Sequence, residues 1–371
     1  MDRRAYLAGA AGMGGTLVGG AAVYTLHRRT GGFERDVDAR DGWLLSGVAP
    51  SAQDRVVLEA FEEWLQRRHA VVGTFADIGF SAEVIDEVVY ALLDTTWAGG
   101  QVPHLWWQPF IPDPDDTPMT INQEIAAGDH DELLARWATA LADWAMVPDG
   151  PDRRVYLNLA PEMNGDWVPW SPALGEDDED DFVAMWHRVH DIVMRAGLSA
   201  DHVQWIWAID TDNMGVDREA LYPGDDYVDW IGLHGYNWVE WNGWQTPQEV
   251  YGESIEVLRS IAEKPLAITE FGCSSAVNAD EHDPSRKDAW ITDAYEYFRS
   301  VDVRMALWFN LTKETDWAVF DAEVGVETAT VDGEEYEVYP AYRDALAGEG
   351  VLGPRADHDR VLADAEFRGE F

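Results

Sequence analysis

From Trp43 onward, short apolar runs alternate with longer stretches whose apolar residues recur every three or four positions. The short runs read as buried strands and the longer ones as helices laying one face on a core. Strands are expected at Trp43–Val48, Ala70–Thr74, Val102–Trp107, Val155–Leu159, His202–Ala208, Asp229–Leu233, Pro265–Thr269 and Val303–Asn310. Helical spacing fills Asp54–Arg68, Ser81–Leu93, Asp131–Ala145, Asp180–Ala196, Thr246–Ile261 and Pro284–Ser300. The connection after the fifth strand has room only for a short helix near Arg218–Leu221. Residues 320–339 alternate around Asp332-Gly333, which reads as an inserted hairpin. A last helix is expected at Tyr342–Ala347.

Eight strands with intervening helices indicate an α/β protein with one (β/α)8 TIM barrel as its single catalytic domain, over 42–350. The last stretch, 351–371, reads as an acidic C-terminal tail. A doubly wound open sheet is the competing architecture, but no Gly-rich phosphate loop follows the first strand. In a barrel, reactive side chains sit at strand C-termini and in the loops just beyond. Trp107, Glu162, Asp210, His234, Tyr236, Glu270, Trp308 and Asn310 all fall there.

Composition narrows the partners. The formal net charge is -44, from 70 acidic and 26 basic residues, and Lys264, Lys287 and Lys313 are the only lysines. Such a field repels nucleic acid and anionic membrane surfaces. Acidity spread along the chain, with little lysine, fits a protein kept soluble in strong brine, where charge repulsion is screened; a halophilic source is expected. Cys273 is the single cysteine, so no intramolecular disulfide and no Cys-based zinc site can form. No His/Asp cluster with metal spacing stands out, and no metal or other cofactor is expected.

The paired arginines Arg3-Arg4, followed by a weakly apolar Gly/Ala-rich stretch to Leu26, read as a twin-arginine-type signal or N-terminal anchor over 1–26. Residues 27–41 read as a linker. The expected location is extracellular or at the cell surface, with membrane contact only through that anchor, and the protein is expected to act as a monomer.

The richest chemistry lies in Ala160–Trp170, A-P-E-M-N-G-D-W-V-P-W, at the end of the fourth strand. It offers a carboxylate, Glu162, an amide, Asn164, and two indoles, Trp167 and Trp170. A carboxylate among indoles is costly to ionise, which suits a general acid. A second carboxylate, Glu270, closes the seventh strand in the run P-L-A-I-T-E-F-G. Two carboxylates on one barrel rim are the minimum apparatus for glycoside hydrolysis.

These runs, with Y-V-D-W-I-G-L-H-G-Y-N-W (227–238), A-L-W-F-N (306–310) and more weakly G-D-H-D (128–131), resemble glycoside hydrolase family 26 in order and over most of 43–320. The resemblance implies retaining, endo-acting hydrolysis of a β-linked polysaccharide, usually β-mannan, with mixed-linkage β-glucan and xylan as variants. It makes Glu162 the acid/base, Glu270 the nucleophile and Tyr236 the phenol that orients Glu270. Trp167 and Trp308 would wall the central sugar subsite. Trp107, His234, Asn164 and Trp170 complete the expected substrate-binding set, with His234 a hydrogen-bonded rim residue. Trp238, Trp241 and Trp244, and His104 with Trp106 on the other side, would extend the cleft. The pattern departs from the mannanases at Asn158 and Pro161, where Arg and His are common, and at His234, where Asp is common. A non-hydrolytic glycan-binding barrel is the reading of another class. Retention requires carboxyl groups about 5–5.5 Å apart.

Overall fold

A computed structural model of the chain describes residues 40–50, 55–278, 281–355 and 359–371. The expected signal or anchor, and all but the last two residues of the linker, lie outside them.

Eight parallel strands form the core: β1 (Leu44–Pro50), β2 (Val71–Asp77), β3 (Val102–Gln108), β4 (Val155–Leu159), β5 (Val203–Asp210), β6 (Trp230–Asn237), β7 (Leu266–Cys273) and β8 (Val303–Asn310). Each pairs with its successor, and β8 pairs back onto β1 from Leu45↔Met305 to Pro50↔Asn310. The ring is closed, so the (β/α)8 barrel is the fold and the open sheet is excluded. β4 and β8 have the expected bounds; β5, β6 and β7 run two to four residues further at their C-terminal ends than their apolar runs. The extension carries Asp210, His234, Tyr236 and Glu270 on strand backbone rather than on loops.

Alternation sends every second side chain outward, where the barrel meets its helices. Trp107 packs edge-on against Trp137 of the helix Asp131–Ala145, ring centroids 5.5 Å apart. Trp205 meets Trp186 of the helix Glu179–Arg195 at 6.4 Å. Side-chain caps fix where these helices begin. Asp178 and Asp181 cap one another's backbone ahead of Glu179–Arg195, and Thr246 with Glu249 does the same for Pro247–Ile261.

One expectation needs correction. After β5, Arg218–Leu221 forms a turn rather than a helix. The Asp217 carboxylate takes the N–H groups of Glu219 and Ala220, and Pro223 follows at once, so one turn forms and stops. The expected acidic C-terminal tail packs onto the barrel over its described residues, 351–355 and 359–371. Val351-Leu352 adds to the edge of β1, and Leu362, Ala363 and Phe367 are buried beneath the barrel. Arg154 donates to the Leu362 carbonyl at 2.7 Å, and the Tyr156 hydroxyl to that of Phe367 at 3.0 Å. Glu366 is buried, which works against its charge, yet the Arg40 guanidinium at 2.7 Å holds its carboxyl below the usual range. The inserted hairpin is present as β9 (Glu327–Val331) and β10 (Glu334–Val338). Asp332 and Gly333 turn with φ of 50° and 91°, the two positive values of a tight hairpin turn. Among the described residues, no helix is long and apolar enough to cross a membrane.

Because Phe367 is a fully buried part of the floor, Phe367→Ala should lower unfolding free energy by about 3–5 kcal/mol. Urea titration reads this directly; an unchanged midpoint would mean the segment hangs free.

Candidate active site

The turn after β4 is the tightest local structure at the barrel mouth. Ala160 and Glu162 both take left-handed backbone, at φ of 45° and 61°, where side-chain-bearing residues cost on the order of 1–3 kcal/mol each. Hydrogen bonds hold them there: Ala160 N–H to the Trp107 carbonyl at 2.9 Å and Glu162 N–H to that of Ala208 at 3.0 Å. The Trp170 indole donates to the Pro161 carbonyl at 2.8 Å, between the two strained residues. Asn164 ties the turn to β5, accepting from Asp210 N–H at 2.8 Å and donating to the Asp210 and Asp212 carbonyls at 2.9 Å. Gly165 leaves room for the Trp167 ring, which a Cβ there would meet at 2.4 Å. Trp167 then donates its indole N–H to Glu162 Oε2 at 2.5 Å. The acid thus meets the polar edge of this indole rather than an apolar face.

Glu270 is aimed by an irregularity in β7. Against β6 the register jumps from Leu233↔Ile268 to His234↔Glu270. Thr269 faces Asn158 at 3.3 Å inside the barrel, Glu270 also faces in, and Phe271 points out to Trp308 and Phe298. Strict alternation forbids two successive inward residues; a bulge permits it. Tyr236, two residues beyond His234 on the same face of β6, donates its hydroxyl to Glu270 Oε1.

His234 lies between the two acids rather than on the rim, and is nearly sealed at 1% exposure. Its Nδ1 is 2.9 Å from Glu162 Oε1 and 4.0 Å from Glu270 Oε2. Burial pulls its pKa down, but the Glu270, Glu162 and Asp210 carboxylates overcome that and hold it above the ordinary imidazole value. His104, deeper in the barrel, is held well below that value by burial and by His234. Glu162, His234 and Glu270 each place one donor atom within 4.8 Å of the others. They are the one grouping among the described residues that could chelate a cation, though Trp167 and Tyr236 already bond to the two acids.

Glu162, Trp167, His234, Tyr236 and Glu270 therefore converge, while four other expected residues do not. Trp308 is fully buried on the outward face, 4.8 Å from Phe271 and 5.7 Å from Tyr342, and cannot wall a subsite. Trp107 is likewise outward. Trp170 and Asn164 are fully buried braces of the β4 turn. His104 and Trp106 point inward but are sealed, and Trp244 is half-buried beneath Arg286. The next residue on β8, Phe309, faces the site instead, 5.8 Å from Tyr236 and 6.4 Å from Phe75. Trp317, outside the expected set, joins this aromatic cluster. It packs 4.7 Å from Tyr236 and 4.4 Å from Trp238, and Trp238 stacks flat on Trp241 at 4.3 Å. Trp241, 47% exposed, ends this aromatic series at the surface. Phe309 was findable by counting alternation along β8; nothing in the T-D-W run around Trp317 marks it.

Asp77 closes β2 on the same face as Phe75. Burial, with Asp113 nearby, pushes its carboxyl up to about 7. The folded state then holds a proton that the unfolded chain releases at about pH 4, so this group's contribution to stability is lost as pH rises from there to about 7. Asp77→Asn should flatten that part of the stability curve in urea titrations; an unchanged slope would refute a neutral Asp77.

Residues 96–269 match the Glycosyl hydrolase family 26 model. Endoglucanase H of Acetivibrio thermocellus is 28% identical over 318 residues, covering 83% of this chain. A mannan endo-1,4-beta-mannosidase of Bacillus subtilis is 25% identical over 118 residues, covering 31% of it. The chain spans about 30% of the length of each of these relatives. Among solved structures, the catalytic domain of a Bacillus sp. JAMB-750 family 26 endo-β-1,4-mannanase superposes with a TM-score of 0.62 at 18% identity, over 88% of this chain and 90% of that one. The chain is a closed (β/α)8 barrel of which residues 96–269, just under half of its length, are similar to family 26 of the glycosyl hydrolases.

Proposed function

We propose that this protein is a retaining, endo-acting hydrolase of a β-linked polysaccharide, with β-mannan as its substrate. Glu270 attacks the anomeric carbon while Glu162 protonates the departing glycosidic oxygen, giving a glycosyl-enzyme. Glu162 then takes a proton from water as that water displaces Glu270, returning both carboxyl groups to their starting states. The observation that carries this reading is the spacing of Glu162 and Glu270, whose nearest donor oxygens lie within 4.8 Å. That supports the short separation of retaining enzymes, about 5–5.5 Å, over the separation of about 6.5–9.5 Å that inverting enzymes need for a water between acid and base. The phenol on Glu270 supports its role as the oriented anion. The paired arginines and the acidic, lysine-poor composition support export into a saline medium.

A second reading is a β-glucan substrate. The alignment to an endoglucanase covers 83% of this chain, against 31% for the mannosidase. The mannanase neighbours of the acid are also replaced here by Asn158 and Pro161.

Hydrolysis of mannan, mixed-linkage β-glucan and xylan in high salt separates these readings, and NMR of the first product tests retention. Glu162→Ala should lower kcat on the cleaved polymer by about 10²–10⁴-fold, and Glu270→Ala by at least as much. Equal activity of Glu270→Ala and wild type would remove the nucleophile assignment. An inert wild type on every β-glycan would favour a binding protein. Trp241→Ala should raise KM for the polymer several-fold with little change in kcat, because a pyranose face stacks on an exposed indole; an unchanged KM would leave Trp241 outside the cleft.

A further inference from the structure

His234 has no part in the hydrolytic scheme above, yet it touches the acid and faces the nucleophile. The groups around it come from five strands. β3 contributes His104, β4 Asn158 and the Glu162 that follows it, β5 Asp210, its own β6 Tyr236, and β7 Thr269 and Glu270. Three of these are carboxylates and none is a fixed cation, so an imidazolium here has the company of opposite charge that a sealed imidazole normally lacks.

The far side of the ring defines which nitrogen can exchange a proton. His234 Nε2 lies 3.3 Å from the Asn158 amide, whose Nδ2 end also faces Thr269 Oγ1 at 3.3 Å. In that orientation Asn158 Oδ1 is buried with no hydrogen-bond partner. The two ends of an amide are alike in shape, and turning this one over would present Oδ1 to an Nε2–H and to the Thr269 hydroxyl, with the Nδ2 hydrogens moving to the place Oδ1 now holds. Nε2 then keeps its hydrogen as a donor to Asn158. Nδ1, 2.9 Å from Glu162 Oε1, is left as the nitrogen that gains or gives a proton.

We propose that His234 is a positioning residue that holds the acid's proton jointly with Glu162 and, when charged, keeps Glu270 ionised from 4.0 Å away. In the resting site the pair is imidazolium and carboxylate. Before the leaving oxygen is protonated, the Nδ1–H bond breaks as the Oε1–H bond forms, two opposite charges cancel, and no proton enters or leaves. The cluster of Glu162, His234 and Glu270 works with one proton shared by the first two. Losing it sets the alkaline limit of activity, and gaining a second sets the acid limit.

This inference rests on the two-glutamate reading above, so its test has one arm with activity and one without. In the first, pH profiles of kcat/KM are compared for wild type, His234→Asn and His234→Gln. Without the imidazole, Glu162 alone must keep the proton and the alkaline limb moves to lower pH. Glu270 also loses a neighbouring cation, so the acid limb moves to higher pH. The bell narrows from both sides, by about one pH unit at each limb. A profile merely lowered in height, with unmoved limbs, would overturn the proposal. In the second arm, imidazole resonances are titrated by NMR in wild type, Glu162→Gln and Glu270→Gln. The His234 midpoint should fall in both variants; a midpoint that ignores both substitutions would also overturn it. An inert wild type with the expected NMR shifts would sink the hydrolase reading while upholding the coupling.

Discussion

Closure of the ring is the constraint on which the rest of the molecule depends. Once β8 pairs with β1, every strand has one face that sees only the barrel interior and another that sees only helices. A side chain's role is then decided by parity along its strand as much as by its chemistry. Trp107 and Trp308 become packing material for the helical layer, and Tyr236 and Phe309 become mouth residues, because of the face each occupies.

Glu162 and Glu270 escape that parity in different ways. β4 ends before Glu162, and a turn of two left-handed residues carries the carboxylate inward. β7 keeps its strand but slips register, so that Thr269 and Glu270 both look in. Each device costs local backbone stability and is held by neighbours: Asn164, Trp170 and Gly165 in the first case, the β6 pairing in the second. The two devices bring both acids to one nitrogen of His234, Nδ1, with Glu162 at 2.9 Å and Glu270 at 4.0 Å.

Much of this was legible in the sequence. Apolar runs located all eight strands, and residue chemistry at their ends picked out Glu162, Trp167, His234, Tyr236 and Glu270. What could not be read was facing. A strand's parity is visible in sequence only if its inward end is known, and A-L-W-F-N offers two adjacent aromatics with nothing to say which looks in. The same blindness put His234 on the rim, because a histidine after an apolar run looks like the first exposed residue unless the strand is known to continue. The last stretch hides its packing for another reason. Its acidity is real, but Phe367, Leu362 and the paired Glu366 turn it into floor, and composition averages over such contacts.

The joining of the first strand to the last also has a consequence for how the chain comes to be folded. Leu45 finds Met305 across most of the described chain, so β1 and β8 cannot bond until nearly all of the barrel exists. Until then both present unpaired strand edges, rich in apolar residues, that invite pairing with any other chain. The entropy of joining segments so far apart in the chain places closure of the ring late in assembly. At low ionic strength the dense negative charge that keeps finished molecules apart would serve half-made ones as well, and in strong brine, where that repulsion is screened, the open edges depend on closing quickly.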